Sequence, residues 1–513
     1  IIRLKCYEGE NMAISVLSSG YIGLDSYVVE VEVDVSNGLP IFNIVGMGDL
    51  AILESKERVR SCFKNIGVEF PIKRVLVNLS PADIKKKGSH FDLSIAVGIL
   101  ANIGKIRKLD ILKNYIVMGE ISLNGDIKSC SGIINATILA KEKKLKGIII
   151  PYENYYEASL ISDVEIIPVR NLNELIELDT LLDSRENIKL EKAPNLEKED
   201  KENIDFMDVK GQILAKRALE ISAAGGHNLL MVGDPGSGKS MLAKRFSTIL
   251  PKMTEKEIIE TTKIYSVSGM LTRENPIITE RPFRTPHHTI SQVALIGGAQ
   301  RAGELTLALN GVIFLDELAE FTVRTLEVLR QPLEDGKITV SRANIIVTYP
   351  INTILIAASN PTPGGYFVDN ILCKDSLKDI KSYQKKFSGP LLDRIDLYVE
   401  MRRLEKNEIF DIKKGESSES IKERVEKSRE IQRQRFGNDS ILNAKMNGNQ
   451  IEKYCQIDEK TKLIFEQAIE ELQLSVRVYD KILKISRTIA DLDTSENIEL
   501  THLVEALNYR RKY

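Results

Sequence analysis

The 513-residue sequence predicts an α/β protein built on a parallel sheet, with an α+β domain before it and a helical region after it. Three observations predict this. The apolar segments His227–Val232, Asn310–Leu318 and Asn352–Asn360 read as buried strands separated by helical stretches, the last two ending in polar residues. That is the pattern of a parallel sheet with its site at the strand C-termini. Upstream, strands, helices and tight-turn dipeptides are mixed, the mark of an α+β domain. Downstream of about Met401 the periodicity is helical.

Composition bounds the class. Hydrophobic residues make up 43% and charged residues 28%, as in a globular protein, which excludes wholesale disorder. Lys+Arg number 71 against Asp+Glu 73, so any nucleic-acid surface must be local rather than a property of net charge. The cysteines, Cys6, Cys62, Cys130, Cys373 and Cys455, are scattered and form no C-x-x-C pair. They read as reduced thiols without a metal framework. No apolar run approaches the ~18 residues of a membrane span, and no signal pattern opens the chain. A cytoplasmic protein with no membrane partner is expected.

Taken in order, residues 1–11 precede Met12 and are assigned no function. Val29, Val31, Val33 and Val35 alternate with acidic residues as a half-buried strand, and Asn37-Gly38 predicts a tight hairpin to IFNIV. Ile52, Ser55, Val59, Cys62, Phe63 and Ile66 share one helical face that Gly67 ends. A strand at Arg74–Leu79, a helix at Phe91–Gly104 and a turn at Asn124-Gly125 follow. The first domain spans 12–184. The charged, apolar-poor stretch 185–204 reads as a linker. A core domain spans 205–400, opening on a helix with Leu214, Ala218 and Ile221 inward, and a helical lid spans 401–513. In the lid, Val478, Ile482, Ile485, Ile489 and Leu492 form a core face.

The chemistry centres on GDPGSGKS, Gly233, Asp234, Pro235, Gly236, Ser237, Gly238, Lys239 and Ser240, set between a buried strand and a helix. This is the full phosphate-loop spacing in its confirming context. The glycines let backbone N–H groups point at phosphate oxygens, and the following helix adds positive N-terminal character. Lys239 can reach the β/γ-phosphates, and the Ser240 hydroxyl is placed for Mg²⁺. Asp316 and Glu317 close the next strand, where an Asp can hold Mg²⁺ and a Glu can polarise the attacking water. Asn360 either orients that water or begins the turn before Pro361. Arg394 is either a cation for a neighbouring subunit's γ-phosphate or a surface partner of Asp393 or Asp396. Arg477 could touch the nucleotide of its own chain, or be a surface arginine. His287-His288 lack ligand spacing for a metal and suit a loop or contact with a threaded polymer.

Together these motifs resemble an AAA+ P-loop ATPase of the magnesium-chelatase-like clade, the ComM/YifB family. The resemblance rests on DVKGQILAKRALEISAAGGHNLLMVGDPGSGKSMLAKR, RPFRTPHHTISQVALIGG, GELTLALNGVIFLDELAEF, LRQPLEDGKITVSRA, AASNP, SGPLLDRIDL and LSVRVYDKILKISRTIADL, and upstream on VEVDVSNGLPIFNIVGMGD and VNLSPADIKKKGSHFDLSIAVGIL. It implies an AAA+ core with a helical lid, preceded by a Lon-protease-like domain. It further implies ATP and Mg²⁺ at subunit boundaries of a hexameric ring. Lys239, Ser240 and Asp316 would be the phosphate and metal contacts, Glu317 the water-activating residue, Asn360 the first sensor, Arg394 the finger acting in trans, and Arg477 the second sensor. Thr285–Ala299 and Leu333–Ile346 would face a central pore, with Arg281, Arg284 and Arg342 in or near these segments offering phosphate contacts. The basic run Lys85-Lys86-Lys87 is more often a solvated loop.

The implied function is DNA remodelling, helicase or branch migration, during recombination of transforming DNA. A magnesium chelatase subunit and a protein-remodelling ring remain alternatives. Two departures matter. NPTPGGYF replaces a cysteine-bearing run, leaving only Cys373, so no zinc is expected. In KKGSHFD, His90 stands at the nucleophilic Ser position and Ile134 at the paired Lys, and Ser89 is left without an activator. No peptidase activity is expected.

Overall fold

The computed structural model describes residues 13–107, 109–177, 204–298, 301–342, 345–386, 389–403, 415–438 and 441–510. Residues 1–11 and nearly all of the predicted linker 185–204 lie outside these. The described chain divides into two compact units, one of residues up to 177 with 258–278, the other of 204–257 with 279–510.

The first unit carries strands β1 (Ile14–Ile22), β2 (Asp25–Ser36), β3 (Phe42–Val45), β4 (Arg74–Ser80), β5 (Tyr115–Val117), β6 (Gly147–Pro151) and β7 (Glu165–Val169). They form a seven-stranded mixed sheet in the order β3-β4-β2-β1-β5-β6-β7. Val29, Val31 and Val33 are fully buried, as their alternation predicts. Helix α1 (Leu50–Asn65) buries Ile52, Ser55, Val59, Cys62 and Phe63. Helix α2 (Asp92–Asn102) lies close on the sheet because Gly98 has no side chain. A Cβ there would stand 2.5 Å from Val33 Cγ2.

One expectation fails. β3 does not return as a hairpin partner of β2; it pairs in parallel with β4. Both edges of β2 are already taken, by β1 and by β4, each antiparallel. The Asn37-Gly38 dipeptide therefore starts a connection, not a two-residue hairpin. Lys86 is also not solvated: it is buried, and its ammonium donates to the Leu79 and Gly46 carbonyls at 3.0 and 3.2 Å.

In the second unit, helix α3 (Ile213–Gly225) precedes β8 (Leu229–Gly233), and helix α4 (Lys239–Arg245) follows it. Helix α5 (Glu255–Val267) begins in this unit, and from residue 258 it belongs to the first. β9 (Phe283–Arg284), β10 (Val312–Leu315), β13 (Ile354–Ser359) and β14 (Leu397–Met401) complete a five-stranded sheet in the order β9-β10-β13-β8-β14. All its pairings are parallel. Helix α6 (Arg330–Asp335) and the antiparallel pair β11 (Lys337–Arg342) and β12 (Ile345–Pro350) stand outside the sheet.

Alternate residues of the buried strands feed two cores. Leu229 and Met231 join one with Phe314 and Ile356; Leu230 and Val232 join the other with Ile313 and Leu355. Helices α7 (Ser418–Phe436), α8 (Val476–Leu492) and α9 (Leu500–Asn508) bury Val425, Ile485, Ile489 and Leu503 in the first of these cores. The C-terminal helices thus share an interior with the sheet. At that junction Asp491, fully buried, accepts from Arg435 at 2.7 Å, Arg487 at 3.0 Å and Asn443 at 2.8 Å. Leu214 is not a core residue: it is 61% exposed, while Ala215, Ala218, Leu219 and Ile221 face inward.

Candidate nucleotide site

The glycine-rich loop joins β8 to α4. Gly236 and Gly238 have φ of +76° and +96°, which only glycine adopts cheaply. Nothing lies within 4 Å of a Cβ added at either, so backbone geometry and not space demands glycine. Lys239 Nζ donates to the Gly233 and Asp234 carbonyls at 2.6 and 3.0 Å, and to Asn360 Oδ1 at 3.3 Å. Burial lowers its pKa, opposed by Asp316 and Asp234. Ser240 Oγ donates to Asp316 Oδ2 at 2.7 Å. Adjacent parallel strands bring these groups together: β8 ends in the loop, β10 in Asp316 and Glu317, β13 in Asn360. A hydroxyl beside a carboxylate is a hard-oxygen donor set that suits Mg²⁺.

Asp234 has a different part from the rest of the loop. Its carboxylate accepts the Phe367 N–H at 3.1 Å and its own N–H donates to the Met401 carbonyl at 3.3 Å, so it braces the loop against its neighbours. Glu317 sits at φ +50° with its side chain 62% exposed, and His288 Nδ1 stands 3.6 Å from its carboxylate. Sequence reasoning missed this pairing, since the histidines lie in the loop just after β9, a strand of only two residues that pairs with β10. His287 Nδ1 instead meets Thr289 Oγ1 at 2.9 Å. Among the described residues no cluster of His, Cys, Asp and Glu could hold a metal by itself.

Beside the loop lies a cavity of about 1040 Å³ whose lining includes Gln212, Ile213, Leu214, Arg402 and Tyr509. Gln212 Nε2 donates to the Ser237 carbonyl at 3.2 Å and the Arg402 carbonyl at 2.8 Å, tying this cavity to the loop. The left-handed Gln212, φ +53°, turns the chain there. The Gly211-Gln212 pair just before α3 was the available sequence signal.

Arg394 and Arg477 are elsewhere. They line a cavity of about 570 Å³ with Asn228 and Thr353, which precede β8 and β13. That is the opposite end of the sheet from the loop, and a five-residue strand separates its ends by about 17 Å. Arg394 Nη2 pairs with Glu334, and Arg477 Nη1 stands 3.6 Å from Asp393. The reading in which Arg477 reaches its own chain's nucleotide is therefore corrected: the fold groups it with Arg394. Arg281 and Arg284 are engaged internally, with Glu257 at 2.9 Å and Glu304 at 2.7 Å. The side chain of Arg342 lies outside the described residues.

In the first unit His90 is buried, its Nε2 is 2.9 Å from the Ser19 carbonyl, and burial lowers its pKa to about 4. Ile134 is fully buried, and Ser89 pairs with Glu120.

A phosphate loop, an acidic strand end and a polar strand end on a five-stranded parallel sheet define a P-loop ATPase core, and the family matches make it one of the magnesium-chelatase type within the AAA+ class. Comparison with known families agrees: "Magnesium chelatase, subunit ChlI" matches residues 205–409, "Subunit ChlI of Mg-chelatase" residues 31–154, and the ChlI C-terminal family residues 415–510. Within that class the chain belongs to the ComM/YifB family. It is 42% identical to competence protein ComM of Haemophilus influenzae over 96% of this chain and 97% of that protein. It is 38% identical to the uncharacterized protein YifB of Salmonella typhimurium over 95% of each. A DNA replication licensing factor of Drosophila pseudoobscura is 22% identical over 58% of this chain and 34% of its own length. Among the described residues no helix is long and apolar enough to cross a membrane.

Proposed function

We propose that the protein hydrolyses ATP as a homo-oligomeric ring, a hexamer, and uses the cycle to remodel single-stranded or branched DNA, as in helicase action or branch migration during recombination of transforming DNA. The observation that carries the ring is the separation of the two half-sites: the phosphate loop lies at one end of the sheet and Arg394 with Arg477 at the other. Copies stacked head to tail would complete each site. The DNA reading is favoured by the relatives, a competence protein and a replication licensing factor.

Within one site, Lys239 and the loop N–H groups bind the phosphates. Ser240 and Asp316 hold Mg²⁺, which supplies charge neutralisation on the phosphate oxygens. Glu317 accepts the proton of the attacking water, and Asn360 orients it. Arg394 of one copy meets the γ-phosphate held by the next, and Arg477 follows it in trans. The Lon-like domain is not a peptidase, because Ile134 supplies no base. Location in the cytoplasm belongs to the same reading.

The deciding experiment measures ATP turnover with and without single-stranded and four-way DNA across salt concentrations, beside a branch-migration assay, with Lys239→Ala as control. Turnover indifferent to DNA at every salt concentration would reject the DNA reading and leave a chelatase or protein-remodelling ring. Glu317→Gln, expected to trap ATP, would then be used to identify the retained partner.

A further inference from the structure

The cavity around Arg394 holds more positive charge than two arginines. Helix α8 presents Arg477, Lys481 and Lys484 at i, i+4 and i+7, one face of the helix, and all three line it. The cavity also has its own acids, so the question is which cations are already matched. Arg477 faces Asp393. Arg394 is held by Glu334, and its buried Nε has no hydrogen-bond partner. Lys484 donates to the Ala444 carbonyl at 3.1 Å.

Lys481, like Lys484 and Lys445, has only a neutral hydrogen-bond partner, but among the three it is the one whose partner adjoins Arg394. Its Nζ donates to the Ile395 carbonyl at 2.7 Å, one residue beyond Arg394, so it joins the helix of Arg477 to the segment of the finger. Among the described residues no carboxylate forms an ion pair with it. The two acids that act on it from further off are committed. Asp396 takes the Asn228 N–H at 3.2 Å and faces His227 Nδ1 at 3.4 Å, and Asp393 faces Arg477. An ammonium has three donors, and one neutral carbonyl occupies one of them. Burial lowers the Lys481 pKa, the sign of a charge taken from water without full compensation. An anion brought from outside would favour the charged form beyond what Asp396 and Asp393 already supply.

We propose that Lys481 is a third cation of this half-site and contacts the triphosphate of the nucleotide bound by the neighbouring copy, beside Arg394 and Arg477. The proposal rests on the reading that the site is shared between copies, and the test separates the two. Lys481→Gln can still donate to the Ile395 carbonyl but carries no charge, whereas Lys481→Arg keeps the charge. Lys481→Gln should lose at least about ten-fold in ATP turnover, a typical scale for a lost charged contact, while Lys481→Arg retains most of it. Thermal melting of each variant reports folding.

Each inactive variant is then mixed with Lys239→Ala, which lacks the phosphate-loop lysine but keeps Arg394, Arg477 and Lys481. Recovery of turnover above either variant alone is expected, because an intact loop then faces an intact set of cations. Arg394→Ala mixed with Lys239→Ala is the control. Failure of the control to recover rejects the shared site itself. Recovery of the control overturns Lys481 alone if Lys481→Gln keeps wild-type turnover, if it is not complemented, or if Lys481→Arg melts like wild type yet is as inactive as Lys481→Gln.

Discussion

Replacing Glu317 by Gln keeps the shape of the side chain and removes the carboxylate that would take the proton of water. The structure separates the effects of this change. The side chain is 62% exposed and, among the described residues, the one side chain placed to pair with it is His288 at 3.6 Å, so folding stability should move by less than about 0.5 kcal/mol. Lys239 and Ser240 make no hydrogen bond to Glu317, so ATP binding should be kept. What is lost is general-base assistance, worth roughly 10²–10⁴ in rate, or about 3–5 kcal/mol of barrier. The expected protein is therefore folded and ATP-saturable, but at least about a hundred-fold slower. Steady-state phosphate release and equilibrium binding of a fluorescent ATP analogue measure the two sides. Turnover within ten-fold of the wild type, with binding unchanged, would refute the assignment and turn attention to another base near β10.

Asn360→Ala removes the one side-chain acceptor of Lys239 and should slow turnover by roughly ten- to a hundred-fold with ATP affinity little changed, read by the same pair of assays. Gly238→Ala forces a Cβ into a left-handed conformation at a cost of about 1–2 kcal/mol; titration should show about ten-fold weaker ATP binding. Asp491→Ala leaves Arg435 and Arg487 with charges buried and uncompensated, costing about 3–5 kcal/mol, which calorimetry would record as a lowered melting temperature. Glu157 is pushed by burial from 4.5 to about 7, against hydrogen bonds from Ser266 and Asn154. The folded form thus holds a proton that the unfolded form has released, so stability should fall as pH rises through that window and level off above it. Glu157→Gln should flatten the dependence and raise stability at pH 8 by no more than about 3 kcal/mol, measured by urea unfolding across pH.

Sequence alone reached the loop, the two acidic residues and Asn360 because each lies at the end of a short buried strand, where period and chemistry coincide. The same reasoning was right about β2 and α1, whose apolar spacing is set by one buried face. It failed where partners are chosen over long range. IFNIV is a strand, but nothing local says that β4, more than thirty residues on, claims both it and the far edge of β2. Leu214 fits the helical period as well as Ala215 does, and only the cavity beside the loop decides which is inside. Arg477 opens its helix as predicted, yet the end of the sheet it faces depends on how α8 packs with α3 and α7. His288 was hidden for the same reason: its neighbour Glu317 belongs to another strand.

Helix α5 has a consequence for how this chain can be made and cut. Its first turn is counted with the ATPase sheet, but Thr261, Thr262, Ile264 and Tyr265 are buried and belong to the body formed by the first 177 residues. On a ribosome, that N-terminal body cannot finish folding at the charged stretch 185–204; it must wait until residue 278 has emerged. A protease or an expression vector that divides the gene at that stretch would give an N-terminal piece missing a helix and a C-terminal piece carrying an orphaned apolar one. Two separable modules in the amino-acid order are thus one interleaved folding problem.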